Sequence, residues 1–350
     1  MSEPLTIALD AMGGDNAPGI VIKGANIARL RFPDVHFLVF GDENRIQPLL
    51  KKMPALVQAC TIVHTDKVIT NEAKPSLAVR QGKGSSMQMA IDSVRQGTAA
   101  GVVSAGNTGA LMAMAKLGLR MLPGIDRPAI AGVFPTLRNE LVMLDLGANV
   151  DCDADNLVQF AVMGGIFSRA VLGVLNPTVG LLNVGTEQVK GNGAVRQAAT
   201  ILSETSYPIS FHGFVEGDDI GKGSVDVIVA DGFSGNIALK TLEGTVRLYS
   251  DYLRNAFKSS LASRLGYVLA RRGLNKLRAR LDPRRYNGAM FVGLNGIVVK
   301  SHGGTDAFGF ANAIGVAIDM ASNHLNDKII EELANHGTAE TVKAHAAVSG

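Results

Sequence analysis

The chain has 350 residues, of which 47% are apolar and 19% charged, so it can bury a large core and is not intrinsically disordered. Its two cysteines form no Cys-x-x-Cys pair, which argues against a disulfide scaffold and favours a reducing compartment. The N-terminus lacks the features of a signal peptide, and no apolar run reaches about 18 residues, so we expect no membrane span.

Residues 247–285 differ from the rest of the chain in charge. They contain eleven Lys or Arg but only two acids, although the formal net charge of the whole chain is only +3. Such a basic block suggests a negatively charged partner, which could be an acidic protein, an anionic lipid surface or a nucleic acid.

Short β-branched apolar runs alternate with helical segments along the chain. The runs predict strands at Leu5–Leu9, His36–Phe40, Thr61–His64, Gly101–Val103, Ala129–Val133, Glu140–Leu144, Thr178–Leu182, Ile209–Phe211, Val225–Val229 and Gly296–Lys300. Helices are predicted around Ala17–Leu30, Ile46–Lys52, Ser86–Gln96, Ala110–Met121, Ala154–Ala170, Gly193–Ser203, Ile237–Ala256 and Asp306–Asn326. This alternation predicts an α/β fold, with a mostly parallel sheet covered by helices on both faces.

The basic segment interrupts this alternation, because Ile237–Leu281 reads as one long helix or a helical pair, with interruptions at Gly266 and Gly273. We therefore predict a catalytic α/β domain formed by residues 1–245 and 286–332. Residues 246–285 form an inserted basic helical arm, and residues 333–350 a small, polar and poorly ordered tail.

Six glycine-rich turns follow predicted strands. They are 12–15, 105–109, 147–149, 185–186, 232–236 and 302–305. In open α/β sheets the ligand crevice lies beyond the carboxyl ends of the strands, so these turns are expected to share one edge of the sheet.

Two loops are suited to phosphate. Ser104–Gly109 lies between a strand and a helix, so backbone amides and the helix N-terminus could face an anion. Lys83–Ser86 offers a cation and two hydroxyls at another helix start. The alternative is that both are ordinary caps and turns.

Single polar residues leave two interpretations open. Lys190, on a loop near glycines, is either a solvated lysine or a phosphate anchor. His302, after a strand and before Gly303-Gly304, is either a turn residue or a general acid. The acidic residues at strand ends are best explained as caps and loop anchors, namely Asp10, Asp15, Asp145 and Asp231. No tight acidic cluster indicates a metal.

Sequence signatures of several enzyme classes are missing. The chain has no GxxxxGK[ST], no GxSxG, no HExxH and no GxGxxG after its first strand, which disfavours kinases, serine hydrolases, zinc proteases and dinucleotide dehydrogenases. Cys152 lies between two aspartates that disfavour its thiolate, so we expect it to be non-catalytic.

The arm carries an imperfect apolar stripe. Leu261, Leu265 and Val268 fall on one side of a helical wheel, but Arg272 falls on that side too. The stripe suits either a dimer or core contact, or a helix lying on a membrane surface. Aromatic residues for base stacking are sparse, so nucleic acid is not expected as a partner.

Several motifs resemble the bacterial phosphate acyltransferases of phospholipid synthesis, the PlsX type. The matching blocks are DAMGGDNAP at Asp10–Pro18, SAGNTGAL at Ser104–Leu111, LDLGANVDC at Leu144–Cys152, DGFSGNIALKT at Asp231–Thr241, YNGA at Tyr286–Ala289 and KSHG at Lys300–Gly303. They occur in the family's order over about residues 5–325.

The resemblance implies that a fatty acyl group moves from acyl carrier protein to inorganic phosphate, giving an acyl phosphate. It also implies a homodimer with a Rossmann-like fold related to isocitrate and isopropylmalate dehydrogenases, and no cofactor is expected. The enzyme would be cytoplasmic and loosely associated with the inner face of the membrane. A membrane glycerol-3-phosphate acyltransferase would consume the product.

On this basis we assign roles as hypotheses. Phosphate is held by Ser85, Ser86, Asn107, Thr108 and Gly109. Lys190 neutralises the phosphate, while Asn236 and His302 act on the oxyanion or transfer a proton. The arm contacts the carrier protein or an anionic membrane surface through Leu261, Leu265, Val268, Arg271, Arg272, Lys276 and Arg278.

Three other classes stay open. A phosphate acetyltransferase-like enzyme would prefer short acyl-coenzyme A donors. A dehydrogenase of the same broad fold would bind NAD(P). A lipid-surface scaffold would bind membranes without turnover.

Overall fold

The computed structural model describes residues 4–204, 207 and 209–335. Its strands are β1 Thr6–Asp10, β2 His36–Gly41, β3 Cys60–His64, β4 Gly101–Ser104, β5 Ala129–Pro135, β6 Glu140–Leu144, β7 Thr178–Leu182, β8 Ser210–Val215, β9 Val227–Val229, β10 Ala289–Val292 and β11 Ile297–Lys300. Its α-helices are α1 Gly19–Arg31, α2 Glu43–Leu50, α3 Pro54–Val57, α4 Pro75–Gln81, α5 Ser86–Arg95, α6 Thr108–Leu119, α7 Ala154–Phe167, α8 Gly193–Glu204, α9 Asp219–Lys222, α10 Gly232–Lys258, α11 Leu261–Arg280, α12 Ala307–Ser322 and α13 Leu325–Asn335. A π-helical turn at Ser168–Leu172 extends α7, and a 3-10 turn covers Pro283–Tyr286.

All the described strands join one sheet in the order β3-β2-β1-β4-β11-β10-β5-β6-β9-β7-β8. Seven neighbouring pairs are parallel, and three, which involve β11, β10, β5 and β6, are antiparallel. The predicted α/β fold with a mostly parallel sheet is therefore confirmed. The three antiparallel junctions reverse the strand direction between the two halves of the sheet.

Helices cover both faces of the sheet, as the nearly continuous apolar strands predict. Along β1, Ile7 and Leu9 join one buried cluster, whereas Ala8 joins the other. The first cluster is completed by α1, α7, α8 and α12, and the second by α5, α6 and the start of α10. The sheet is therefore the middle layer of three, and ligands have access mainly at its strand ends.

Strand β10 is absent from the sequence prediction. It has only four residues, between Gly288 and Gly293, both of which have positive φ, and so short an apolar run carries no readable period. Because β10 supplies two of the three antiparallel junctions, this omission also hid the reversal of strand direction.

The arm is a helical pair, which was one of the two predicted alternatives, and not one long helix. Its helices α10 and α11 meet at Ser259–Ser260, where the Ser260 hydroxyl caps the Ser263 amide at 3.0 Å. The predicted interruptions at Gly266 and Gly273 are wrong, because both glycines lie inside α11. A glycine costs about 1 kcal/mol within a helix, which is too little to break one that packs against a neighbour.

The predicted edges of the arm and tail also differ from the structure. Helix α10 runs through residue 246 without a break, so the arm continues directly from the body. The tail was predicted to begin at 333, but Leu333 is only 8% exposed and packs into the core through α13. Residues 336–350 of the predicted tail lie outside the described residues.

Candidate active site at two sets of glycine loops

The six glycine-rich turns form two sets rather than one. The first loop set, residues 12–15, 104–109 and 302–305, follows the neighbouring strands β1, β4 and β11. The second loop set, residues 147–149, 185–190 and 232–236, follows the neighbouring strands β6, β7 and β9. Because the strand direction reverses between these groups, the sets lie at opposite edges of the sheet, and the expectation of one shared edge is wrong.

The centre of the first loop set is the buried carboxylate of Asp10, which is 1% exposed. It accepts hydrogen bonds from Ser86 Oγ at 2.6 Å, from Ser104 Oγ at 2.7 Å and from the Met12 amide at 3.3 Å. Burial raises the pKa of Asp10, while these hydrogen bonds oppose the shift. The turn after β1 thus folds around a buried carboxyl group of the protein itself, which confirms the interpretation of Asp10 as a loop anchor.

Glycines let the loops of this set touch backbone to backbone. A Cβ atom on Gly13 would lie 2.5 Å from Asp10 Oδ2 and 2.7 Å from the Gly106 nitrogen. Gly14 has φ of +98° and lies against Ala105, a conformation that residues with side chains rarely adopt. The three loops therefore form one packed unit, in which one loop cannot shift without displacing the others.

The N-terminus of α6 is the open part of this unit. Asn107 caps the helix by accepting the Ala110 amide at 2.9 Å, and its Nδ2 donates to the carbonyl of Asn71 at 2.7 Å. Thr108 is exposed, and the amides of Thr108 and Gly109, in the first turn, have no acceptor within the helix. These amides and the positive end of the helix dipole are suited to an anion.

Ser85 and Ser86 do not contribute hydroxyls to that opening. Both are only 1% exposed. The Ser85 side chain caps α5 by accepting the Gln88 amide at 3.3 Å, and the Ser86 hydroxyl donates to Asp10. Because both side chains are buried and bonded within the protein, the structure favours the alternative of an ordinary helix cap, and their role in binding phosphate stays a prediction.

Lys300 is a residue of this set to which the sequence analysis assigned no role. Its side chain turns into the protein, where Nζ donates to the Ser301 carbonyl and, at 3.3 Å, to that of Ala105. Burial lowers the pKa of Lys300 to about 8, although the nearby carboxylates of Asp10 and Asp15 favour the charged form. The available sequence signal is a lysine that ends an otherwise apolar strand.

His302 lies at the mouth of the first loop set and reaches solvent. Its backbone amide donates to Asn287 Oδ1 at 2.9 Å, while Nδ1 accepts the Gly304 amide at 3.1 Å. A neutral ring therefore carries its proton on Nε2. Partial desolvation, followed by the charges of Lys240 and Lys300, lowers the pKa of His302, so the ring is mostly neutral near pH 7.

The second loop set also folds around a buried carboxyl group. Asp145, which is fully buried, accepts the amides of Ile130 at 2.9 Å, Ala148 at 2.9 Å and Asn149 at 2.7 Å. Burial raises the pKa of Asp145 against these bonds. Asp231 caps α10 by accepting the Ser234 amide at 2.8 Å, so both aspartates act as the sequence analysis expected.

Asn236 and Lys190 belong to this second set. Asn236 is exposed in the second turn of α10, next to Gly147. Lys190 is exposed and forms an ion pair with Glu187 at 2.9 Å, which raises the pKa of the lysine. The side chain of Asn183 holds this loop by donating to the Lys190 carbonyl at 3.1 Å.

The structure brings some predicted site residues together and separates others. Asn107, Thr108, Gly109 and His302 share the first loop set. Helix α10 connects the sets, since Lys240, one turn beyond Asn236, is close enough to His302 to influence its pKa. Strand β7 is six positions from β4 in the sheet, or roughly 29 Å at about 4.8 Å per strand, so Lys190 does not reach residues 107–109 within one chain.

The two cysteines are poor nucleophiles in this fold. Burial raises the pKa of Cys60 to about 11, and burial together with the charge of Asp145 raises that of Cys152 to about 12. Among residues 4–204, 207 and 209–335, no three potential metal ligands are grouped, and no helix is long and apolar enough to span a bilayer.

Comparisons with known proteins agree with the fold and the motifs. The sequence profile of a family described as "Fatty acid synthesis protein" matches residues 5–328. A protein of Rhodospirillum centenum named phosphate acyltransferase is 65% identical over 334 residues, which cover 95% of this chain and 94% of that protein. A protein of the same name from Paramagnetospirillum magneticum is 60% identical over 340 residues, or 97% of each chain.

Solved structures show how widely this architecture is shared. A phosphotransacetylase from Streptococcus pyogenes has a TM-score of 0.63 and 19% identity, and the match covers 92% of this chain and 95% of that one. At that identity the likeness concerns the fold alone. The profile match and the two close relatives each span nearly the whole chain. The chain therefore belongs to the fatty acid synthesis protein family, that of the PlsX-type phosphate acyltransferases.

Proposed function

We propose that this protein transfers a fatty acyl group from acyl carrier protein to inorganic phosphate and releases an acyl phosphate for phospholipid synthesis. Family membership gives the coarser statement, that the chain is a phosphate acyltransferase of fatty acid and phospholipid synthesis. The carrier-protein donor and the acyl phosphate product are the proposed part.

The open N-terminus of α6 carries the proposal, and the state of the other reactive groups agrees with it. The helix N-terminus at residues 107–109 is open to an anion, whereas both cysteines are held as thiols and Asp10 and Asp145 are buried as loop anchors. Inorganic phosphate is itself a nucleophile, so the reaction needs no covalent intermediate with the protein. The protein's task is to hold the phosphate, exclude water and stabilise the developing oxyanion.

The proposed reaction has two steps. A phosphate oxygen attacks the thioester carbonyl carbon, and a tetrahedral oxyanion forms. That intermediate collapses with cleavage of the carbon–sulfur bond, so the thiolate leaves with the bonding electrons and is protonated to the carrier thiol. The amides of Thr108 and Gly109 hold the phosphate, and the capping side chain of Asn107 keeps them in place.

We assign the proton and oxyanion roles to the residues that border α10. The Nε2–H of His302 is free to donate, because Nδ1 is already an acceptor. Asn236 also lies in the second loop set, one turn of α10 before Lys240, so its role as an amide donor to the oxyanion stays a prediction. Lys190 is not assigned to this phosphate because it lies in the second loop set, and its importance for activity remains a prediction.

We propose that α11 contacts either the acidic carrier protein or an anionic membrane surface. Exposed arginines and lysines support an acidic partner, namely Arg271, Arg272, Lys276 and Arg278. Leu261, Leu265 and Val268 are 82%, 64% and 63% exposed, and α11 buries none of its residues within one chain. The core-packing alternative for the stripe therefore does not apply within a single chain.

We also propose a homodimer that uses α10. Phe233, Ile237, Leu248 and Tyr252 are between 50% and 67% exposed, and their spacing places them on one side of the helix. An unpartnered apolar side of this length suits the same surface on a second copy. The dimer would act in the cytoplasm at the inner face of the membrane, where a glycerol-3-phosphate acyltransferase would consume the acyl phosphate.

The test is incubation with labelled inorganic phosphate and a long-chain acyl carrier protein, followed by hydroxylamine trapping of the product. Acyl hydroxamate formation that depends on phosphate is expected, and its absence would refute the function. Short acyl-coenzyme A as the preferred donor would favour an acetyltransferase-like enzyme, and NAD(P) reduction a dehydrogenase. Membrane binding without turnover would favour a scaffold.

Site variants test the assignment of the phosphate. Asn107→Ala should abolish most of the turnover, because it loosens the amides of Thr108 and Gly109. Asp42→Ala is the matched control, since Asp42 caps α2 through the Asn44 amide at 2.9 Å and lies outside both loop sets. Each variant should lose about 1 kcal/mol of stability, so only a loss of activity specific to Asn107 supports the site.

A further inference from the structure

The amine of Lys300 contacts the loop that leads into α6 and has no role in the reaction proposed above. Nζ contacts the carbonyl oxygens of Ala105 and Ser301, which belong to the loops after β4 and β11. Ala105 is three residues before Thr108, and at most about 10 Å of extended chain separates them. The amine is therefore next to the loop proposed to bind phosphate, and it is partly buried.

No carboxylate of the described residues lies within 4.0 Å of Lys300 Nζ to form an ion pair. The charged groups that face it are Asp10 and Asp15 of the β1 end and its following turn. His302 is also close enough to interact with Lys300, and it in turn faces Lys240, Glu243 and Arg247 of α10. The positive charge of Lys300 is thus balanced only at longer range.

The hydrogen-bond inventory shows why this site can hold either form of the amine. Two carbonyl acceptors match the two N–H donors of a neutral amine, whereas an ammonium group has a third donor. The neutral form leaves both loops tied together. The charged form adds an attraction for any anion that approaches residues 107–109 from outside.

We propose that Lys300 is the cation of the first loop set, and that a phosphate dianion binds at the N-terminus of α6 to the form of the protein in which this amine is charged, so that binding at alkaline pH is accompanied by proton uptake. The proposal rests on the proposed function, since it requires inorganic phosphate at residues 107–109. It makes Lys300 a positioning residue that attracts the nucleophile and joins two loops.

The size of the effect follows from linkage between the proton and the anion. With a pKa of about 8 in the free protein, about half of Lys300 is charged at pH 8.0 and about 3% at pH 9.5. If only the charged form binds, the apparent Kd for phosphate rises about 15-fold over this range, because the binding-competent fraction falls by that factor. Inorganic phosphate stays mainly a dianion throughout.

The experiment is equilibrium dialysis of the full chain with labelled inorganic phosphate at pH 8.0 and 9.5. Wild-type binding should weaken about 15-fold. Lys300→Arg should show little change with pH, because a guanidinium stays charged. Lys300→Met should bind weakly at both pH values. Lys23→Met, which removes an exposed lysine of α1, should behave as wild type.

Circular dichroism melts establish that each variant is folded. Wild-type binding that is independent of pH, or the same pH dependence in Lys300→Met, would overturn the proposal. If neither variant of Lys300 folds, the proposal can still be tested with the wild type. Calorimetry of phosphate binding at pH 9, in buffers of different ionisation enthalpy, measures the number of protons taken up. Uptake of about 0.9 proton per phosphate is expected, and no uptake would contradict the inference.

The outcome is separable from that of the acyl-transfer assay. Proton-linked phosphate binding without acyl hydroxamate formation would leave this inference standing and refute the proposed function. Acyl transfer together with phosphate binding that does not change in the Lys300 variants would support the proposed function and refute this inference.

Discussion

Replacing Asp10 tests whether a buried carboxylate holds the first loop set together. In Asp10→Ala the hydroxyls of Ser86 and Ser104, which are 1% and 0% exposed, lose their acceptor. Each unsatisfied buried hydroxyl costs about 1–3 kcal/mol, so we expect a loss of roughly 2–6 kcal/mol in the free energy of unfolding. Relief from burying a charge reduces this loss.

Asp10→Asn keeps the shape of the side chain and removes its ability to ionise, so it separates the two contributions to stability. The amide oxygen can still accept one hydroxyl and the amide nitrogen can donate to the other, so the variant should cost much less than Asp10→Ala. Burial raises the pKa of Asp10 in the folded chain. A group whose pKa is raised on folding stabilises the folded protein most when it is protonated in both states. The contribution of Asp10 to stability is therefore complete below its unfolded pKa of 3.8, and it declines as the pH rises through its folded pKa.

The measurement is urea unfolding of the three proteins between pH 4 and 8 in buffers without phosphate. The advantage of wild type over Asp10→Asn should shrink as the pH rises, while Asp10→Ala should stay the least stable throughout. The reasoning fails if Asp10→Ala costs less than about 1 kcal/mol, or if Asp10→Asn costs as much at pH 8.

Three further outcomes are expected. Gly13→Ala should lose about 1–3 kcal/mol of stability and most of the activity, because its Cβ would lie 2.7 Å from the Gly106 nitrogen; an unchanged melting temperature would contradict this packing. Leu261→Glu/Leu265→Glu should weaken binding to anionic liposomes at least about 100-fold yet retain turnover in solution. The control Leu175→Glu, also at an exposed leucine, should leave liposome binding unchanged. Unchanged liposome binding by the double variant would remove the membrane assignment. At pH 8 Cys60 should hold roughly 100-fold less thiolate than an ordinary cysteine, so a disulfide reagent should label it only on unfolding; fast labelling of folded protein would show an open thiol.

Local chemistry explains what could be read at the site from sequence. Asp231 before a helix and Ser85 before another cap them as their residue types predict. The role of Lys300 could not be read, because a lysine at a strand end is usually solvated. Only the packing of the loops after β4 and β11 around it makes its amine a partly buried charge.

Sequence alone determined most elements of this protein, since strand and helix periods are properties of neighbouring residues. The predicted strand Glu140–Leu144 and the start of α5 at Ser86 agree with the structure. Tertiary structure decided where the strand ends point, because the direction of β6 depends on its pairing with β5 and, through it, on the unpredicted β10. Pairing between distant segments leaves no local pattern, so the separation of Lys190 from residues 107–109 became visible only in the folded sheet.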